Sequence, residues 1–308
     1  MATAQVRLGA QPAGAEVARP ARSLWADAWI TFTRDRLAVA GLAVLVLLSV
    51  AVLVGPVLWK QTAIDFSRAL QGPSLDHPFG VDDLGRDLLA RVLEGGRVSI
   101  AVGITAVLLA VALGTAIGAV AGYYSWLDNP LMRITDLFLS LPVLPLLLVL
   151  IYLFREALQL ALGAQLGVFI MIVGVIGILN WMPVARLVRA SFLSLKQREF
   201  VEAARCVGSP DGRIIFRHIL PNVLSPVLVA ATIGVGAAII TESTLSFLGL
   251  GFPSDTPTWG RLLFDAVNYL DIAPHWAIFP GLAIFLIVLS VNFIGDGLRD
   301  ALDPRRKI

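Results

Sequence analysis

The sequence predicts an all-α protein that crosses a membrane six times, and three observations carry that prediction. Of its residues 57% are hydrophobic and 15% are charged, whereas about a quarter are charged in ordinary soluble domains. Six long runs are apolar, the first of them without a charge from Leu37 to Trp59. None shows the alternation of about ten residues that marks the strands of a membrane barrel, so the backbone polar groups must be satisfied within helices.

The elements follow in order. Residues 1–22, rich in Ala, Pro and Gly, read as a disordered tail and hold no apolar core of the kind a signal peptide carries. Residues 23–36 read as a short interfacial helix, with Trp25, Trp29 and Phe32 on one face and Asp27, Arg34 and Arg36 nearby. The run over 37–59 is long enough to cross a bilayer core and too long for a signal-peptide core. Residues 60–97 form a polar segment outside the membrane. Within it the i,i+4 spacing of Asp82 with Arg86 and of Asp87 with Arg91 predicts a surface helix resting on the bilayer.

Residues 98–295 hold the other five spans. They are Val98–Gly122, then Leu137–Phe154 with Pro142 and Pro145, then Ala157–Ala185, which is longer than one straight crossing needs. Val223 to about Leu250, interrupted only by Glu242, and Trp276–Gly295 complete the set. Residues 296–308 read as a tail. Gly114, Gly118 and Gly122 share one helix face and admit another backbone, from a partner subunit or from this bundle. Trp59, Tyr123, Tyr124, Trp126 and Trp276 fall at span ends, as an aromatic belt does.

Six crossings put both ends of the chain on one side. Of the 24 Lys and Arg, 17 lie in the segments sharing that side with the termini and 7 on the other. Cytoplasmic segments are the ones that accumulate basic residues, so both termini and the loop over 190–222 are expected in the cytoplasm. Arg133, Asp136, Arg186 and Arg189 sit at span boundaries, where pairing across the inner face is open to them.

Several function classes are excluded. A net charge of +2 is too small for a nucleic-acid partner, and one cysteine, Cys206, leaves no disulfide framework. His77, His218 and His275 lack metal-ligand spacing, and no nucleophile elbow is present. Lys60, Lys196 and Lys307 follow Trp, Leu and Arg, so no phosphate-binding loop can form. The expected chain is not an enzyme, binds no cofactor or metal, and hydrolyses no ATP by itself.

The loop over 190–222 carries the chemistry. Glu202-Ala203-Ala204-Arg205-Cys206-Val207-Gly208 is followed, nine residues on, by His218-Ile219-Leu220-Pro221. Ser194 and Gln197 have capping-box spacing to open a first helix. Gly208 suits the left-handed position that closes it. Ser209 can cap a second helix with Pro210 at its first position. Pro221 and Pro226 then mark a return to the membrane. The result is a knob of two short helices, with Glu202 beside the small Ala203 and Ala204 and among Arg198, Arg205, Arg213 and Arg217.

This order, EAA-x3-G-x9-H-x-LP, resembles the cytoplasmic loop by which permease subunits of bacterial ATP-driven importers engage their ATPases. The stretch Asp76-His77-Pro78-Phe79-Gly80-Val81-Asp82-Asp83-Leu84-Gly85-Arg86-Asp87 resembles the external segment of peptide-type permeases. Thr241 to Gly251 and Gly295 to Arg305 extend the likeness, which runs from about residue 22 to the end and is to the C-type permease of dipeptide, oligopeptide and nickel importers. His218 departs from the general importer pattern, which has Ile there, and is similar to the peptide-type variant. The resemblance implies a type I ABC-importer permease fold in the bacterial inner membrane. It implies a second, non-identical permease subunit, two ATPase subunits that use ATP and Mg, and an extracytoplasmic substrate-binding protein. Glu202, Ala203, Ala204, Arg205, Gly208, Arg213, Leu220 and Pro221 are then the coupling residues.

The translocation pathway has few polar candidates: Asn180, Thr232, Glu242, Ser243 and Ser246. Glu242 lies deep in an apolar run, where a carboxylate must face a cavity, a partner or water near the outer boundary. A sparse polar lining suits short peptides, whose side chains vary. Bare nickel would call for a cluster of His or carboxylate ligands in the spans, although a chelate would not. A secondary transporter or channel is the remaining alternative, and it leaves the EAA loop without a purpose.

Overall fold

The computed structural model describes residues 24–60 and 63–302. The tail expected over 1–22 and the side chain of Trp25 lie outside the described residues, as does the chain after Leu302. Apart from one isolated bridge between Val81 and Asp87, the regular structure among them is helical. Five helices are long and apolar enough to cross a membrane, or six if one bent pair counts as a single span.

The interfacial segment is helix α1, Leu24–Arg34. It stops because Asp35 leaves the helical conformation and its carboxylate accepts the amides of Leu37 and Ala38, opening α2, Arg36–Leu58. Phe32 is buried in one apolar cluster with Ala38 and Ile294, while Trp29 stacks on Phe32 from the exposed side. Pro56 inside α2 has no amide to offer the Val52 carbonyl. Arg97 of the next helix supplies a guanidinium donor instead, its Nε donating to the Val52 carbonyl at 2.9 Å.

Helix α3, Leu88–Tyr123, is 36 residues long, so the second span begins well inside the segment expected to lie outside. The surface helix expected around Asp82–Arg91 is not formed. Gly80 and Gly85 take positive φ and fold 80–87 into a tight loop. At Gly85 a side chain would meet the Asp65 carbonyl at 1.9 Å. The loop buries the Asp82 carboxylate against two guanidinium groups, Arg86 and Arg91, each at 2.7 Å. Arg91 therefore pairs with Asp82 and not with Asp87, which accepts the Ala90 amide as N-cap and pairs with His77 Nδ1 at 2.7 Å. A helix would have left these carboxylates in water. The loop trades that hydration for buried charge pairs.

The apolar window over 137–154 contains a break at Leu141–Pro142, between α4, Ser125–Ser140, and α5, Val143–Leu162. Arg155 and Glu156, expected in a loop, are helical in α5, and Arg155 reaches the Gly251 carbonyl at 3.1 Å. The long window over 157–185 is divided too: its first six residues close α5, and the rest forms α6, Ala164–Leu179, and the start of α7, Trp181–Leu195, bent by 40° at Asn180. Pro183 explains the bend, since it cannot donate to the Leu179 carbonyl and its ring crowds that oxygen. Helix α12, His275–Leu302, takes up the first half of the tail expected from residue 296.

The glycine stripe of α3 packs within this chain. Side chains at Gly114, Gly118 and Gly122 would lie 2.6 Å from Val184 Cβ, 2.4 Å from the Ala185 carbonyl and 2.5 Å from Phe192 Cβ, all on α7. Two of the belt aromatics are likewise interior, Tyr123 at 5% and Trp276 at 1% exposure, because neighbouring helices cover them; Trp126 is exposed. Alternate crossings leave α1, the loop after α7 and the end of α12 on one face. Segments 63–87 and 248–274 lie on the other.

Substituting Gly118 by Val should force α3 and α7 apart. Overpacking of this kind costs about 1–3 kcal/mol. We expect a lowered melting temperature and less folded protein in detergent, whereas Gly212→Ala, with open space around Gly212, should melt as the parent does. Equal melting of both variants would contradict the packing.

Candidate functional site

The EAA segment forms a knob whose first helix is α8, Glu199–Cys206. Ser194 does not cap it, because α7 continues through Leu195, and the residue preceding α8 is Arg198 without a side-chain cap. The far end is as expected. Gly208 has φ +75°, its amide meets the Arg205 carbonyl, and the Ser209 amide reaches back to Ala204 at 3.0 Å. These two bonds are the paired closure of a helix by a left-handed residue. A side chain on Gly208 would have nothing within 4 Å, so its requirement is one of backbone conformation alone.

The second helix is not short. It begins at Asp211, preceded by Pro210 and not capped by Ser209, and continues through α9, Asp211–Arg213, into a π-helical stretch, Ile214–Ile219. From there it becomes α10, Leu220–Phe247, so that Asp211–Phe247 is one element of 37 residues. Pro221 and Pro226 do not turn the chain. The Leu220 amide bonds five residues back to Ile215. That wider turn just ahead of Pro221 stands where a proline ring would crowd an ordinary helix.

Val201, Ala204, Ile214, Ile219 and Val223 pack the knob onto Tyr123, Val188 and Phe192, so it is an extension of α3, α7 and α10. Glu202, Ala203, Arg205, Gly208, Arg213 and Pro221 are exposed, Leu220 is half-buried and Ala204 is buried. The same face carries the outlying apolar side chains Val207 and Phe216. On its flank Arg189 pairs with Asp128 at 2.7 Å, and that hydrogen bond holds the Asp128 carboxyl below the usual carboxylate range. Arg186 pairs with Asp136. The Arg186–Asp136 pair is among those the boundary charges left open, whereas Asp128, the partner of Arg189, was not among them.

A groove runs along α10. Three cavities of about 500, 410 and 260 Å³ follow one another, the first two sharing Leu187, Ala230 and Ile233 and the last two sharing Asn180. From Ser225 to Thr244 the helix rises about 28 Å, close to the thickness of a bilayer core. The wall is almost wholly apolar. Its polar groups are Arg299 and Ser225 near the knob, Asn180 at the helix break, and Thr241 and Thr244 at the far end.

Of the pathway candidates, only Asn180 lines this groove. Thr232 hydrogen-bonds the Leu228 carbonyl and lines none of these cavities. Glu242, Ser243 and Ser246 are buried on the opposite side of α10. The Glu242 carboxylate accepts the hydroxyls of Ser99 at 3.0 Å and Ser246 at 2.8 Å, and Ser99 in turn accepts the Trp259 amide at 3.2 Å. It therefore ties α10 to α3 and to α11, Trp259–Ala266, instead of facing a path. Thr241 and Thr244 are not among the residues the sequence singles out for the path, although their spacing of three places them on one helical face, about 100° and about 160° from Glu242. Within α11, burial raises the Asp265 carboxyl, against the opposing pull of Arg261 and Arg91.

Residues 82–308 match the family of the binding-protein-dependent transport system inner membrane component. The chain belongs to that family. Residues 23–73 of this permease match the N-terminal transmembrane domain of oligopeptide transport permease C. It is 41% identical over 288 residues to the dipeptide transport system permease protein DppC of Alkalihalophilus pseudofirmus, covering 92% of this chain and 91% of the relative. To the glutathione transport system permease protein GsiD of Pectobacterium atrosepticum it is 42% identical over 296 residues, 93% of each chain. The GsiD of an Escherichia coli strain is 41% identical over 293 residues, 93% of this chain and 92% of that one. The permease is thus a multi-pass inner-membrane component of an ABC importer, and the knob and the groove both fall within the matched residues.

Replacing Glu242 by Ala should leave the Ser99 and Ser246 hydroxyls without their acceptor, at roughly 1–3 kcal/mol for each buried group left unpaired. Glu242→Gln keeps an acceptor oxygen and should lose much less. Thermal unfolding of the two variants in detergent checks the order, and a Gln variant no better than the Ala variant would contradict the cage.

Proposed function

We propose that this permease forms half of the translocation pathway for short peptides and couples it to ATP hydrolysis by partner subunits. The observation that carries the reading is the groove along α10, open, apolar and about as long as a bilayer core is thick, leading at one end to the exposed knob. An apolar wall with isolated hydroxyl and amide groups tolerates side chains of many kinds, and fine selection falls to the binding protein. The names of the dipeptide and glutathione relatives support the substrate class.

In this reading the groove faces a second, non-identical permease subunit, and the central path lies between the two. The knob docks on one of two ATPase subunits through Glu202, Arg205 and Arg213, with Ala203 allowing close approach and Gly208 holding the bend. ATP and Mg belong to those ATPases; this chain is non-catalytic and holds no cofactor. A substrate-loaded binding protein meets the opposite face. Both ligands bias one two-state element, the inward- or outward-open path. Both termini and the knob lie in the cytoplasm.

Two experiments test this. With the complete importer in proteoliposomes, uptake of labelled di- and tripeptides should depend on this chain and on ATP. Glu202→Ala or Gly208→Val should cut it at least about tenfold while the chain still inserts, the first because breaking a desolvated charge pair costs about 2–5 kcal/mol and the second because Val resists the positive φ of Gly208. Normal uptake and ATPase stimulation in both variants would refute docking, and loss of another solute with peptide uptake intact would refute the cargo. For orientation, in a Cys206→Ser background a cysteine at Ser74 should react with an impermeant thiol reagent in intact cells. One at Asp211 should not, and labelling there would invert the topology.

A further inference from the structure

Tyr123 is the last residue of α3 and ends an apolar span, where an aromatic belt would turn its hydroxyl to water. It is instead 95% buried against the knob. Its hydroxyl donates to the Asp211 carboxylate at 2.5 Å, at the start of the second arm. Val201 and Ala204 of the first arm are buried in the same apolar cluster as the Tyr123 ring. Lys196 donates to the Tyr123 carbonyl at 2.6 Å and stands 5.2 Å over its ring. The Tyr123 side chain thus joins an apolar cluster that holds both arms of the knob, on either side of Gly208, and adds a hydrogen bond to the second arm.

The helix that carries this residue reaches the other face. Over its 36 residues α3 rises about 54 Å. At its opposite end Arg91 is locked to Asp82, and Ser99 to Glu242 and α11. We propose that Tyr123 is a positioning residue of the transport cycle, clamping both arms of the knob to α3 so that displacement of the knob moves α3 instead of being absorbed at Gly208. The inference rests on the docking of the knob to an ATPase proposed above. Without the clamp, Gly208 is a compliant joint. ATP would still be hydrolysed, but less of each stroke would reach the path.

Tyr123→Phe removes the hydroxyl and leaves the ring and carbonyl that hold Lys196. In the complete importer in proteoliposomes, with binding protein and labelled dipeptide, peptide imported per ATP hydrolysed should fall at least about tenfold, the lower end of what loss of a hydrogen bond to a charged group spans. A merely structural role would lower the amount assembled and not this ratio. Asp211→Ala, on the exposed surface, tests the same bond if Tyr123→Phe accumulates poorly. The double variant should be no worse than either single one, as for two members of one interaction. An unchanged ratio in both single variants, or losses that add, would overturn the clamp. Glu202→Ala separates the two readings. If it is defective while Tyr123→Phe and Asp211→Ala are normal, only the clamp fails; if it leaves ATPase association intact, the docking itself fails.

Discussion

The close approach of α3 and α7 along Gly114, Gly118 and Gly122 is the contact on which the other parts rest. It brings the backbones together without intervening side chains, so two helices behave as one body. From that body α5 and α6 enclose one apolar cluster, α2 and α12 another, and the knob a third. In a membrane such contact is favoured by dispersion and close packing, since lipid offers little hydrophobic penalty for separation. Any widening at the stripe would be felt at the knob and at the opposite loop alike, because α3 passes through both.

The second constraint is that no polar group inside the bundle can rely on water. Three such groups are answered by nearby side chains. The carbonyl freed by Pro56 takes Arg97, the buried Asp82 takes two guanidinium groups, and Glu242 takes hydroxyls from two helices. Three of these bonds, Arg97 to Val52, Arg91 to Asp82 and Ser99 to Glu242, cross between elements, so satisfying a buried polar group and holding the helices together are the same act. The breaks at Leu141–Pro142 and Asn180 flank the groove, which fits irregular backbone being tolerated where it borders a cavity.

The groove and the knob divide the work between softness and stiffness. The groove is lined mostly by small and branched apolar residues with few hydrogen-bonding groups, a wall that in the proposed reading holds cargo loosely. The knob is stapled by apolar packing, a left-handed glycine closure and the Tyr123 contacts. Its exposed side combines charge with Val207 and Phe216, a surface suited to a partner and poorly suited to water.

What the sequence by itself determined were properties set by short stretches of chain: the apolar lengths that make spans, the ends that share a face, the positive φ of Gly208 and the EAA spacing. Local signals failed where a longer element overrode them, as Ser194 was absorbed into α7 and Pro221 into a widened helix. Tertiary structure alone decided which way each residue faces. Glu242 and Thr241 are neighbours in the chain, yet one is buried against α3 and the other lines the groove, because the placement of α3 and α6 distinguishes the two sides of α10. Arg91 found Asp82 and Tyr123 found Asp211 for the same reason. Their partners are fixed by how helices far apart in sequence come together, and no spacing along the chain records that.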